Sequence, residues 1–285
     1  MIPRVRTLLL VLCLVVTAAS SAMPSEASPR PYLALGDSVA FGFINLAGYE
    51  YVNPANFVGF PEYAGSGLRL SDTNAACPGE TTGSFLSATA PDDGCRFFRS
   101  QAPLHFPYAT TQSSFALTFL ASHRQTRLVT VMLGANDVFL LESACAGDPT
   151  CIANGLPQVL ATISANMATI LGEIRATGFK GVIVVENYYS LDYSNPVGTA
   201  GTQLLNEAES APAAAFGAVV ADVFTAFQTA ASNPFAAGNT CKAGLLNAAA
   251  VNEFTCDVHP SQSGQKLIAG AVEAAYAAAI RERME

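Results

Sequence analysis

Four apolar runs punctuate the chain, and none of them alternates with polar residues. Tyr32 to Leu35 stops at Gly36, Leu128 to Leu133 stops at Gly134, and Val182 to Val185 and Ala218 to Val223 are two further runs. Continuous, β-branched-rich runs of this length predict strands buried on both faces, as in parallel sheets. Between them the period changes. Over 156–176, Leu160, Ile163, Met167, Ile170, Leu171 and Ile174 recur at spacings of three and four, which predicts a helix with one apolar stripe. Pro157 would sit in its first turn and Gly178 would follow its end. A second helix is predicted over 261–284, with Leu267, Ile268, Ala271, Val272 and Ala275 inward and Ser261 or Ser263 as cap. Strands alternating with helices predict an α/β fold with a mostly parallel central sheet and helices on both faces. In such sheets ligands bind beyond the carboxyl ends of the strands. Two polar clusters fall there, Gly36-Asp37-Ser38 and Gly134-Ala135-Asn136-Asp137.

The amino terminus departs from this pattern. Arg4 and Arg6 precede an apolar run from Leu8 to Val16, and small residues follow from Thr17 to Ala22. That is the layout of a secretory signal, and the run is shorter than the roughly 20 apolar residues a membrane span needs. The expected organisation is a signal peptide over 1–22 cleaved near Ala22, a short linker over 23–31, and a single domain over 32–285. The cysteines agree with export. Cys13 leaves with the signal, and the even set of six that remains is expected to pair outside the cytosol. Among the possible pairings, neighbours in sequence are favoured: Cys77 with Cys95, Cys145 with Cys151, and Cys241 with Cys256. Each closes a short loop in a stretch rich in Gly, Pro, Asp and Asn. A structural zinc site would need C-x2-C spacings that are absent, and no metal or other cofactor is expected.

Composition narrows the class. Hydrophobic residues make up 51% and charged residues 13%, which excludes a disordered chain and a coiled coil. A net charge of −8 repels phosphate backbones, so nucleic acid is not an expected partner. The mature protein is expected to be exported, not inserted in a membrane, and monomeric.

A cofactor-free hydrolase needs a nucleophile, a base and an oxyanion hole. Only three histidines are available. His105 lies in a Pro- and aromatic-rich loop and His123 ends a predicted helix; both read as structural. His259 sits in Cys256-Asp257-Val258-His259-Pro260, just before the last helix, with a carboxylate close by. Ser38 follows a buried strand and a Gly, where its hydroxyl would project at the sheet edge. There is no G-x-S-x-G, since position 40 is Ala, so this is not the α/β-hydrolase nucleophile elbow.

Taken together, four blocks resemble the SGNH hydrolases, the GDSL esterase/lipase family: Leu33-Ala34-Leu35-Gly36-Asp37-Ser38-Val39, Cys77-Pro78-Gly79-Glu80-Thr81-Thr82, Gly134-Ala135-Asn136-Asp137 and Asp257-Val258-His259-Pro260. Their order and spacing cover nearly the whole mature chain. The resemblance implies a three-layer, flavodoxin-like fold and an acyl-enzyme mechanism. Ser38 would be the nucleophile and His259 the base. The backbone N–H groups of Ser38 and Gly79 and the side-chain amide of Asn136 would form the oxyanion hole. Asp37 and Asp137 read as turn-holding residues. The chain departs from the family pattern at Val39 and in its last block, where D-x-H replaces D-x-x-H and Cys256 stands three residues before His259. The third catalytic member is therefore Asp257, or a backbone carbonyl such as that of Cys256.

The function expected from these residues is secreted carboxylic-ester hydrolysis, as a lipase or esterase acting on a small-molecule or lipid ester. The alternatives are a carbohydrate O-acetyl esterase or phospholipid acyl hydrolase on the same machinery, and a non-catalytic binding protein on the same fold. The last has no chemical need of all four of Ser38, Gly79, Asn136 and His259. A metal-dependent hydrolase is disfavoured by three scattered histidines and no H-E-x-x-H. Phe41, Phe43, Ile44, Phe57, Phe60 and Tyr63 are candidates either for an acyl pocket or for ordinary core packing.

Overall fold

The structure, a computed structural model, describes residues 28–46, 52–250 and 255–285. In chain order the elements are β1 (Arg30–Gly36), α1 (Ser38–Phe41), α2 (Phe60–Leu68), β2 (Leu70–Asn74), α3 (Thr82–Leu86), α4 (Cys95–Gln101), α5 (Gln112–Ser122) and β3 (Leu128–Met132). There follow α6 (Ala135–Ala144), α7 (Pro149–Ala176), β4 (Val182–Glu186), α8 (Pro196–Ser210), β5 (Val219–Ala221), α9 (Val223–Ala231), β6 (Leu246–Ala248), β7 (Cys256–Pro260) and α10 (Gln262–Glu282).

Five strands form one parallel sheet in the order β2-β1-β3-β4-β5, and β6 and β7 form a separate antiparallel pair. The chain runs from β1 outward to β2, then crosses to the other side of β1 to lay down β3. That is the flavodoxin-like order, and its switch point lies between β1 and β3. β3 and β4 are buried throughout, and β1 is buried from Tyr32 onward, as continuous apolar runs require. Inside this layer Tyr32 Oη and Thr130 Oγ1, 2.9 Å apart, satisfy each other across the β1–β3 ladder.

The helices fall into two sets that cover the two faces. α10 packs on β4 and β5 and against α2 and α9; α7 packs against α3, α5, α6 and α8. The predicted stripe of α7 is buried at Ile163, Met167, Ile170, Leu171 and Ile174. Buried Gln265 of α10 reaches across its own layer, accepting from Phe60 N–H (2.8 Å) and donating to the Val39 carbonyl (3.0 Å). It thereby ties the last helix to α1 and α2. Ser261 caps α10, accepting from Gly264 N–H, whereas Ser263 lies within the helix.

Several boundaries differ from the sequence reading. α7 begins at Pro149, not near 156, because Asp148 accepts from Cys151 N–H (2.7 Å) and Pro149 occupies the first helical position. Pro157 is therefore interior; it is exposed and forfeits one helical hydrogen bond. The run 218–223 is split, since Asp222 caps α9 by accepting from Thr225 N–H (3.0 Å), which makes Val223 helical. Arg30 and Pro31, assigned to a linker, are the first residues of β1. β2 reads Leu-Ser-Asp-Thr-Asn; it is a half-buried edge strand and so carries no apolar run. The three neighbour disulfides, Cys77–Cys95, Cys145–Cys151 and Cys241–Cys256, are all formed. The signal segment 1–22 lies outside the described residues. Among the described residues no helix is long and apolar enough to cross a membrane.

Candidate active site

The site is assembled from what leaves the carboxyl ends of β1, β3 and β4. β1 ends at Gly36, whose φ of +153° brings its backbone so near β3 that a Cβ would lie 2.7 Å from the Met132 carbonyl oxygen. No side chain is tolerated there, and the chain turns directly into α1. Asp37 caps that short helix by accepting from Val39 N–H (2.9 Å), and half-exposed Ser38 is its first residue. The turn is clamped from below by Gln112 of α5. Its Oε1 accepts from Gly36 N–H (2.6 Å), and its Nε2 donates to the Gly36 carbonyl (3.0 Å) and to Glu80 Oε2 (3.1 Å).

Glu80 adjoins the second element, the turn that holds Gly79. This turn is fixed by the Glu80 N–H to Cys77 carbonyl bond (3.1 Å), the Cys77–Cys95 disulfide and the Asp93 N–H to Gly79 carbonyl bond (2.8 Å). Gly79 has φ +83°, and a Cβ on it would meet the Asp93 carbonyl oxygen at 2.4 Å. A backbone N–H presented from so tight a turn requires glycine. Cys77, Glu80 and Cys95 are the one group of potential metal donors found among the described residues. Both sulfurs are consumed by the disulfide, which leaves a single carboxylate.

The third element follows β3. Asn136, in the first turn of α6, is buried, with Nδ2 donating to the Glu80 carbonyl (2.9 Å) and, at 3.4 Å, to Asp37 Oδ2. Its amide thus stands between the Ser38 and Gly79 turns. Asp137 points the other way, accepting from Thr82 N–H (2.8 Å) and Thr82 Oγ1 (2.6 Å), and Asn166 Nδ2 donates to that same hydroxyl (2.9 Å). It holds α3 to α6, as a turn-holding residue would.

The fourth element is β7, which lies against α1 and α10. On a strand, positions two apart share a face, so Asp257 and His259 project together. Asp257 Oδ1 accepts from His259 N–H (2.7 Å), and Oδ2 lies 3.5 Å from His259 Nδ1. That distance is long for a hydrogen bond, and among the described residues Nδ1 has no other partner, so the Cys256 carbonyl does not take the ring proton in this arrangement. The Phe43 ring meets the imidazole edge-on, centroids 4.9 Å apart.

Two tyrosines at the carboxyl end of β4 were not anticipated. Tyr188 Oη donates to Asp37 Oδ2 (2.6 Å), and Tyr189 Oη donates to the Val258 carbonyl (2.5 Å) while its ring stacks on Phe227 at 4.3 Å. One steadies the Ser38 turn and the other the strand of His259. They carry no motif, but they lie just beyond the carboxyl end of β4, after Glu186 and Asn187, the counterpart of the clusters that follow β1 and β3. Gln112, Glu80 and Gln265 were missed for a different reason: polar residues within helices and turns read as solvent-facing until the fold buries them.

Most of the candidate acyl-pocket aromatics are core. Phe41, Phe57 and Phe60 are fully buried, whereas Phe43, Ile44 and Tyr63 are half-buried. Phe57 (6.0 Å) and Phe98 (6.0 Å) flank Phe43 and form its foundation. His105 is structural, its Nε2 3.0 Å from the Phe41 carbonyl and its ring 4.5 Å from the Phe41 ring. His123 caps α5 and stacks on Phe119 at 4.0 Å.

Burial dominates the electrostatics. Desolvation pushes Asp37 up to about 6 against the bonds from Tyr188 and Val39, and pushes Glu80 and Glu62 up to about 7. Desolvation raises Glu186 and Glu209, both fully buried, well above the usual carboxylate range.

The model of the GDSL-like Lipase/Acylhydrolase family matches residues 34–267. No curated protein matches the chain. Among solved structures, the lipase Lip_vut3 from a goat rumen metagenome aligns with a TM-score of 0.55 at 16% identity, covering 87% of this chain and 98% of its own. LAE5, an α/β hydrolase enzyme from the metagenome of Lake Arreo in Spain, aligns at 0.52 and 17%, covering 88% and 96%. Axe2, an acetylxylan esterase from Geobacillus stearothermophilus, aligns at 0.52 and 14%, covering 87% and 94%. At these identities the likeness is one of fold.

Two outcomes are expected. Asp37, Glu62 and Glu80 have folded-state pKa values above those of the unfolded chain, so each stabilises fully below its unfolded value near 4 and loses that contribution as pH rises through 6–7. His105, held low by burial, opposes this below its usual value, but it is one group against three. Thermal unfolding should therefore give a higher midpoint at pH 5.5 than at pH 8; the reverse order would contradict the buried carboxylates. Gly79→Ala drives a Cβ into the Asp93 carbonyl and displaces this turn; if the Gly79 N–H is the oxyanion donor expected from the sequence, kcat on a soluble ester should fall by about 10²-fold or more, with wild-type turnover as the contradicting result.

Proposed function

The chain belongs to the GDSL-like lipase/acylhydrolase family, and from that premise we propose that it is an exported ester hydrolase working through an acyl-enzyme on Ser38. The observation that carries this reading is the meeting, at the β1/β3 switch point, of Ser38 at the start of α1, the tight Gly79 turn and the Asn136 amide, with β7 and its Asp257–His259 pair packed against α1.

The chemistry follows from that placement. Ser38 Oγ attacks the ester carbonyl while His259 accepts its proton, forming a tetrahedral oxyanion. That charge is received by the N–H groups of Ser38 and Gly79 and by Asn136 Nδ2, through the hydrogen that otherwise makes only the long 3.4 Å contact to Asp37 Oδ2. The intermediate collapses, the C–O bond to the alcohol breaks, and His259 returns the proton to the leaving oxygen. Water, deprotonated by the same imidazole, then hydrolyses the acyl-enzyme and restores Ser38. Asp257 orients the ring and stabilises its protonated form; the 3.5 Å separation shortens when the imidazole is charged, as catalytic hydrogen bonds of substrate-free enzymes do.

The half-buried face of Phe43, edge-on to His259 and backed by Phe57 and Phe98, supports an apolar substituent next to the scissile bond. This favours acyl esters longer than acetate over acetylated carbohydrate, the class on which Axe2 acts. Three disulfides and the amino-terminal signal pattern support export, and the enzyme is read as a single catalytic domain over 32–285, working as a monomer.

Ser38→Ala should lose turnover of a chromogenic ester by about 10³-fold or more while unfolding at the same temperature; retained turnover removes Ser38 from the mechanism. Asp257→Asn should cost about 10²-fold or more in kcat, whereas near-full activity would leave His259 to a dyad. Across C2 to C12 esters, kcat/KM should rise beyond acetate, and Phe43→Ala should flatten that rise. A preference for acetate in the unaltered enzyme would shift the reading to deacetylation.

A further inference from the structure

The opposite end of the sheet carries a second feature. At the amino ends of β1, β3 and β4 is a depression of about 230 Å³, lined in part by Arg30, Arg124, Arg127, Lys180, Arg283 and His123. Arg30 begins β1, Arg127 immediately precedes β3, and Lys180 stands two residues before β4. At about 3.3 Å per residue, the six steps of β1 alone separate Arg30 from Gly36 by roughly 20 Å. The depression is thus remote from Ser38.

Five of the chain's fourteen lysines and arginines converge here in a protein of net charge −8. No Asp or Glu lines the depression. All five cations are exposed, and among the described residues none of them makes an ion pair, since the only pairs are Arg96 with Asp92 and His259 with Asp257. Glu282 and Glu285, close to Arg283 in sequence, pair with nothing either.

The plain alternative is helix capping. α5, α7 and α10 all end nearby, and cations favour the negative ends of helices. Two of the five do cap backbone: Arg124 donates to the Thr177 carbonyl (2.7 Å), and Arg283 to the carbonyls of Lys180 (2.8 Å) and Gly181 (3.3 Å). Three helix termini supply only about −0.5 charge each, well short of five full cations. Among the described residues, the side chains of Arg30, Arg127 and Lys180 have no hydrogen-bond partner. The two capping guanidiniums are pre-oriented by the backbone, while the other three are free to close on a ligand.

We propose that this depression is an anion-binding site for a group of the phosphate or sulfate class. A compact, multiply charged oxyanion offers acceptors on every side, which suits converging guanidiniums and one ammonium better than a single carboxylate would. The group could be free in solution or carried on an anionic polymer, and the same cations would hold either.

The experiment is thermal unfolding of the mature protein in sodium phosphate, against sodium chloride at matched ionic strength. Phosphate should raise the midpoint by about 3 °C at ten times its dissociation constant, and further with the logarithm of its concentration, and chloride should not. Arg30→Gln/Arg127→Gln/Lys180→Gln should abolish the rise while leaving ester turnover unchanged. Should the triple variant fold poorly, Arg30→Gln and Lys180→Gln alone should each reduce it. An equal rise in chloride, or a full rise in the variants, overturns the proposal. Heparin and tripolyphosphate separate the sources: the same midpoint rise reached at concentrations at least tenfold lower than inorganic phosphate assigns the site to a polymer, and equal concentrations assign it to the free ion.

Discussion

The site is organised around one buried carboxylate. Asp37 receives Tyr188 Oη from the end of β4, Val39 N–H from its own helix and, more distantly, Asn136 Nδ2 from the turn after β3. Those donors come from three strand ends that are separate in sequence. Because an unpaired buried carboxylate is costly, the three ends are held in the one arrangement that satisfies Asp37. Ser38 and Asn136 are fixed as a consequence, since each is a neighbour or a partner of that group. Gln112 repeats the device one layer deeper, joining Gly36 to Glu80 and so locking the Ser38 turn to the Gly79 turn.

Much of this was legible in the sequence, and the pattern of success is physical. Runs buried on both faces announce themselves, so β1, β3 and β4 were visible, and with them the two clusters at their carboxyl ends. Short loops rich in turn formers made the disulfide pairing readable. Edge strand β2 and the β6–β7 pair were invisible because half-buried strands of mixed polarity resemble loops. Tyr188, Gln112 and Gln265 are legible only after folding, since nothing local distinguishes a polar side chain that will be buried from one that will be solvated. The Asp257–His259 geometry was open for a similar reason: it depends on 256–260 being a strand, and that follows from pairing with β6, not from its own five residues.

Net charge was the least faithful of the sequence quantities. A total of −8 argues against long phosphate backbones as partners, yet it averages over a molecule in which five of fourteen lysines and arginines are gathered at one end of the sheet. Several of its carboxylates are buried and lean toward their neutral forms. The field at the surface is therefore not the field that counting implies. Parallel topology enforces the division, because all five strands point the same way and the two sheet edges are built from different kinds of loop.

The buried acids also differ among themselves. Asp37, Glu186 and Glu209 couple electrostatically within one interior, and like charges there oppose one another's ionisation. Three donors point at Asp37, whereas no side-chain donor reaches Glu186 or Glu209 among the described residues. With its pKa pushed only to about 6, Asp37 carries charge at neutral pH, while burial disfavours the charged forms of Glu186 and Glu209. Asp37 interacts favourably with a charged His259. In the proposed reaction the imidazole becomes cationic as it takes the proton of Ser38, so the charge that organises the turn also stabilises the base at the moment it is used. Asp257 then need not supply all of that stabilisation, and this accounts for a catalytic arrangement in which its contact to the ring is loose before substrate arrives.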